Sequence, residues 1–418
     1  MGGLGGNNGH LNHLYEDYNL TFGEMKKILR DLSNNKITLY EKVDGQNLSL
    51  SYNPKTHAPM AARNKSDIKS QGITLSKVRE RYHNKPGVMN AFSDAMSAFN
   101  EAIRKLTYYQ RFQIFDPAIG GMPFVNSEVM STKNPNIIRY DGNYLVMHSL
   151  SRFSNPHRGN ICHETFDSII SEIDQLEVIV DDQIWQIFGP KTIDLSESMN
   201  RNDMMKSLGK IDDLIASWGL NDQSTVRDFL IKYVFTMHAS DLILDIDSRL
   251  SLESRMLDER GALPTPSIVK NFSDSQKLTV KRLTKDRKVL IREALVPIEM
   301  IINDFGLALL ENSHSSFVSS GHDQVRNLRT RVDNAIKELS KSADPSLRSK
   351  LDLNWAKLKK TSDTITSTVE GVVFTINETS YKVTGAFAPM NQILGWVNPS
   401  FSHSRGKASE SPLPIFVG

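Results

Sequence analysis

The sequence predicts an α+β protein, with strand-forming segments toward both ends of the chain and a long helical span between them. Three observations lead there. Apolar and polar residues alternate from Ile37 to Tyr52 and again from Val369 to Thr384, the period-two pattern of half-buried strands. Between about 154 and 361 the period lengthens to that of helices, as in Val226, Phe229, Leu230, Tyr233 and Val234. Turn formers such as Asp44-Gly45 and Asp141-Gly142 stand between the strand-like runs.

Composition sets the outer bounds. A chain of 418 residues can bury a large core and form more than one domain. The formal net charge is only +2, so any basic surface must be local. A single cysteine, Cys162, excludes an internal disulfide and a multi-cysteine zinc site. No apolar run approaches the ~18 residues of a membrane helix. No charged-then-apolar leader marks a secretory signal. The expected location is therefore the cytoplasm.

Taken in order, Met1 to Asn8 is Gly/Asn-rich without Gly-Lys-Ser/Thr, and reads as a flexible lead. His10 and His13 have no third metal ligand nearby and read as packing or substrate contacts. Thr21 and Glu24 form a capping box that opens a helix to about Ser33. Phe22, Met25, Ile28, Leu29 and Leu32 line one face, expected to pack under the sheet that carries Lys42. Leu39 to Tyr52 then reads as strand, turn, strand, which places Lys42 at a strand end beside the Asp44-Gly45 turn. A short strand should end at Arg63, and a loop with Lys65 and Lys69 follows. Helices are expected over about 74–82 and 88–106, and strands over 108–115, 123–130 and 144–150. The span 154–361 is expected to be all helical. Within it, Asp245, Asp247 and Glu253 read as solvated positions. Lys277, Lys281, Arg282, Lys285, Arg287 and Lys288, interrupted by Asp286, would track a phosphate backbone or form a solvated helix face. A final hairpin is expected around Asn377.

The run Tyr40-Glu41-Lys42-Val43-Asp44-Gly45-Gln46-Asn47 resembles the Lys-x-Asp-Gly nucleophile motif of the covalent nucleotidyltransferases, which include ATP-dependent DNA ligases, RNA ligases and mRNA capping enzymes. Four further elements are similar to that family and collinear with it: Arg63, Glu128 in Phe124-Val125-Asn126-Ser127-Glu128, Glu370-Gly371-Val372-Val373, and Tyr381-Lys382-Val383. The strand 144–148 also resembles a family strand, though His148 stands where an acid is common. Phage-encoded polynucleotide ligases are the nearest in pattern.

The resemblance implies an antiparallel-sheet, ATP-grasp-like nucleotidyltransferase domain. Its first part would be 1–153 and its last part 362–418, with the helical span 154–361 as a large insertion. Fewer residues follow Thr384 than the family's oligonucleotide-binding barrel needs, so the insertion is expected to replace it. The resemblance further implies Lys42 as nucleophile, Glu370 as the Mg²⁺-organising carboxylate (Mn²⁺ as a substitute), and Lys382 on the α-phosphate of ATP. Glu128 would hydrogen-bond the ribose, Arg63 would contact ribose or phosphate, Glu41 would help place adenine, and Asn47 takes the place of the arginine usual in DNA ligases. That exchange leans the substrate toward RNA, or a nicked duplex containing RNA. Non-sealing nucleotidyl transfer and a non-catalytic binding module remain as alternatives.

The chemistry sets one physical condition. An ordinary lysine, with a pKa of about 10.4, is charged at neutral pH and must lose its proton to attack phosphorus. Lys382, Arg63 and Mg²⁺ are the positive charges expected to depress it.

Overall fold

In a computed structural model of the chain, the described residues are 11–118, 121–153, 168, 170–195, 199–257, 265–270, 272–318, 321–341, 363, 365–377, 379–387 and 394. The Gly/Asn-rich lead, His10 and Cys162 lie outside them, as does the amphipathic run beyond 341. The fold is α+β, in two compact units. Of the described residues, 11–12, 37–195 and those from 309 on belong to one unit, and 13–36 and those within 199–308 to the other.

Among the described residues the first unit holds nine strands: β1 (Tyr40–Lys42), β2 (Gln46–Asn53), β3 (Ala58–Ala62), β4 (Met122–Met130), β5 (Asn143–Phe153), β6 (Leu176–Val180), β7 (Gln183–Phe188), β8 (Gly371–Ile376) and β9 (Thr379–Thr384). They form a three-stranded sheet, β1-β8-β9, and a six-stranded sheet, β3-β2-β4-β5-β7-β6. All pairings are antiparallel except β5 with β7, so the larger sheet is mixed rather than antiparallel throughout.

Alternation decides what each face of the larger sheet does. Leu48, Leu50 and Tyr52 on β2, Val125 and Val129 on β4, and Leu145 and Met147 on β5 point to one side. There the helix Pro86–Lys105 covers them with Phe92, Met96, Phe99 and Ile103. Its alanines 91, 95, 98 and 102 are equally buried and let the helix lie close to the sheet. Burying each large apolar side chain contributes roughly 1.5–3 kcal/mol. The opposite face carries Asn47, Ser49, Asn126 and Glu128, a polar surface rare on a sheet interior.

Four expectations are corrected. Residues 108–115 form a helix, because Thr107 and Gln110 make a capping box that outweighs the apparent alternation. Tyr108, Tyr109 and Phe112 then face solvent while Ile114 and Phe115 enter the core. The span 154–361 is not all helical. β6 and β7 lie in it, joined by Asp181 and Asp182, both at positive φ, and they extend the larger sheet. The helix Gly321–Ser340 also belongs to the first unit, where Leu328, Val332 and Ile336 pack with Ile137 and Ile138. Finally, the helix Phe22–Ser33 begins on its capping box but packs in the second unit, against the helix Arg201–Ser217. Lys26 bonds Asp212 at 2.5 Å and Asp222 at 2.6 Å there, which ties the helix into that unit. In the same unit His13 stacks on Tyr15.

Among the described residues no helix is long and apolar enough to cross a membrane.

Candidate nucleotidyl-transfer site

β1 and β2 do not pair with each other. β1 lies against β8, with Lys42 opposite Gly371, and β2 lies between β3 and β4. Val43-Asp44-Gly45 thus carries the chain from one sheet to the other, and Lys42 stands at the crossing. The Asp44 carboxylate accepts from Ile138 N at 2.7 Å and from Asn136 Nδ2 at 3.3 Å. The Asp44 backbone N–H donates to the Tyr140 hydroxyl at 2.8 Å, and Asn136 Nδ2 donates to the Gly45 carbonyl at 2.9 Å. Asp44 therefore shapes the turn, as expected of it from sequence. The hydrophobic anchor is Val43, packed with Met130, Val146 and Phe317.

Four residues far from Lys42 in sequence gather around it. Its Nζ donates to Glu370 Oε1, from the residue just before β8. Lys382 pairs with Val373 in the β8–β9 ladder, and its charge is felt at Glu370. Alternation puts Lys42, Val373 and Lys382 on one face of the small sheet. Glu128, on the polar face of the large sheet, acts electrostatically on Lys42. Arg63 follows β3 and donates through Nη1 to the Asn47 carbonyl, with its guanidinium over the Phe92 ring; its charge reaches Glu128. Asn47 sits opposite Glu128 and donates to Asn126 Oδ1 at 2.6 Å.

Glu41 is placed differently. Adjacent strand residues face opposite ways, so its carboxylate points away from the Lys42 amine. It is buried and accepts from Ser315 Oγ at 2.5 Å and Ser316 N at 2.8 Å. Burial pushes its pKa up against those two bonds. Glu41 anchors β1 to the 315–317 segment.

The electrostatics of the site are those of one lysine among three carboxylates. Burial draws the Lys42 ammonium down, but Glu370, Glu128 and Asp44 outweigh it and hold its pKa above the ordinary value. The expected lowering is thus corrected: the carboxylates around Lys42 hold its pKa up. Burial raises Asp44 to about 7, with Glu370 adding to it. Burial raises Glu128 to about 8, against the pull of Lys42 and Arg63. Glu128 Oε2 is buried with no hydrogen-bond partner. Among the described residues no group of three or more His, Cys, Asp or Glu side chains is arranged to hold a metal ion by itself.

A pH dependence of stability follows. Asp44 and Glu128 bind their protons more tightly folded than unfolded, so the stability these two groups contribute is full below about pH 4 and falls as pH rises toward about 8. Glu128→Gln should leave the melting temperature at pH 4 nearly unchanged and raise it at pH 8. Melts of both proteins across that range check this; parallel curves would contradict it.

His148 belongs to the site although its sequence gave no role for it. The β4–β5 register shifts between Asn126 and Ser127. Two residues, His148 and Ser149, consequently stand between the core-facing Met147 and Leu150, where strict alternation has one. Burial, then Lys42, lowers the His148 pKa to about 4, so the imidazole is neutral. Alternation alone does not reveal a bulge, and no residue in the strand marks it.

No protein-family model, curated protein or solved structure matches the chain.

Proposed function

We propose that the protein is an ATP-dependent polynucleotide ligase that forms a lysine-AMP intermediate at Lys42. The observation that carries this reading is the convergence of Lys42, Arg63, Glu128, Glu370 and Lys382, drawn from five segments, on one space between two sheets. A purely structural ion pair needs only Lys42 and Glu370. It gives no reason for an unpartnered carboxylate oxygen on Glu128 or a polar face on the opposing sheet.

Lys42 Nζ attacks the α-phosphorus of ATP. The N–P bond forms, the bond to pyrophosphate breaks, and the ammonium proton must leave. Glu370 Oε1 already accepts from Nζ and is the nearest base for that proton. Lys382 stabilises charge on the phosphates, and Arg63 supports ribose or phosphate. The unpartnered Glu128 Oε2 suits a ribose hydroxyl, which donates to it. The AMP then passes to a 5′-phosphate as a pyrophosphate bond, and a 3′-hydroxyl displaces AMP to seal the strand. RNA, or a nicked duplex containing RNA, is the favoured acceptor on the strength of Asn47.

The residues fit a divalent cation carried with the nucleotide. Mg²⁺ takes one or two protein carboxylates and fills its shell with phosphate and water. Glu370 would hold it, and the three crowded carboxylates supply the demand for positive charge. When bound, it would neutralise phosphate charge and weaken the grip of Glu370 on the Lys42 proton.

The test is incubation with α-labelled ATP or GTP and Mg²⁺, followed by a denaturing gel. Label from ATP that stays on the chain is expected. Label from GTP alone would shift the activity to capping chemistry. Absence of label with either nucleotide, in protein not already adenylylated, would contradict the enzyme reading and favour a binding module.

A further inference from the structure

The second unit contains a cavity of about 560 Å³ at the break between the helices Asp274–Lys285 and Arg287–Leu310, with the helix Ile246–Leu257 across from it. Arg255, Lys285, Arg287 and Lys288 line it, and among the described residues Asp286 is the only acid that does. Among the described residues the lining thus holds four cations and one acid, and the exposed Lys285 and Lys288 keep it basic even with Arg287 engaged elsewhere. In a chain whose whole net charge is +2, that is a strong local concentration. Arg287 Nη1 donates to the Arg255 carbonyl at 3.3 Å, which ties the facing helices together across the cavity. Lys285 and Lys288 remain exposed.

Like charges gathered in one concavity repel each other, and an anion relieves them. Arginine forks paired with lysine point charges suit phosphoryl oxygens in particular. The approach is basic as well. Lys277, Lys281 and Lys285 follow one another at four-residue steps, about 6 Å apart along the helix, and all three are exposed. Lys277 is shared with Asp274 at 3.1 Å. The row ends at the cavity.

We infer that this cavity is a phosphate-binding site of the second unit, which takes phosphoryl groups of a nucleic-acid backbone or of free polyphosphate. The inference is independent of Lys42 chemistry and stands or falls separately from it.

The experiment measures two affinities on the full chain: a fluorescent single-stranded oligonucleotide by anisotropy over a salt series, and inorganic pyrophosphate by calorimetry. Lys285→Gln/Lys288→Gln changes two exposed side chains and should leave the melting temperature in place. A control pair, Lys206→Gln/Lys232→Gln, removes the same charge from exposed positions elsewhere in the unit. The site variant is expected to lose about tenfold or more in affinity for at least one ligand. If the ligand is the oligonucleotide, the salt slope should also fall by about 0.7 for each lost phosphate contact. The control pair and Lys42→Ala should bind as wild type. Loss with the oligonucleotide assigns a nucleic-acid backbone; loss with pyrophosphate alone assigns free polyphosphate. Binding of neither ligand by wild type, unchanged affinity in the site variant, or an equal loss in the control pair would overturn the inference.

Discussion

Lys42→Ala is expected to abolish covalent labelling by ATP, a loss of at least about 10³-fold, because no other group replaces a missing nucleophile. The same change should destabilise the fold. It removes the cation that bonds Glu370, whose side chain is 8% exposed, and takes from Glu128 and Asp44 a positive charge that favours their ionised forms. Removing one partner of a buried ion pair costs about 3–5 kcal/mol. Lys42 keeps 23% of its side-chain surface, which places the cost toward the lower end. The sign with pH is set by the carboxylates. As pH falls below about 7, Asp44 and Glu128 take up protons and the loss shrinks; as pH rises through about 8 they ionise and it grows. Lys42→Arg separates the two effects, since it keeps the charge and removes the primary amine. It should fold like wild type and carry no label. Label on either variant would contradict the assignment, and denaturant unfolding at pH 5 and pH 8 checks the stability part.

Gly371→Ala should be the most costly single methyl addition at the site. A Cβ there falls on the Val383 carbonyl oxygen and lies 3.0 Å from Thr384 Cγ2. A backbone oxygen cannot rotate aside, so β8 and β9 must part. The expected cost is about 3 kcal/mol, with a fall in labelling as Glu370 shifts. Gly45→Ala is the useful contrast. Its Cβ would meet Glu128 Cβ at 3.0 Å and Met130 Cγ at 3.2 Å, side-chain atoms with some freedom to yield. About 1 kcal/mol is expected there. Equal losses in the two variants would contradict this reading of the strand approach.

These positions also show what the sequence could express. Lys42 at a strand end, the Asp44 turn, the Thr21 capping box and the final hairpin depend on near neighbours, and their patterns were readable. The helix 108–115 is short, and its apolar residues happen to alternate; Thr107 and Gln110 were the signal for it. β6 and β7 alternate too, but only over five and six residues inside a span dominated by helical periodicity. The partner of a helix face is a tertiary fact: Phe22–Ser33 shows its apolar stripe equally to a sheet or to another helix, and the Lys26 bonds to Asp212 and Asp222 decide. Glu41 and His148 were hidden for different reasons. Glu41 meets residues 315–316 through distant pairing, and His148 owes its direction to a bulge.

The central claim is a phosphoramidate on one named nitrogen. Intact-mass measurement before and after ATP and Mg²⁺, followed by digestion and peptide mapping, tests it most directly. One added AMP, located on the peptide and side chain of Lys42, is the predicted result. An adduct on another residue such as Lys382, or no adduct in folded protein that starts unmodified, would contradict it.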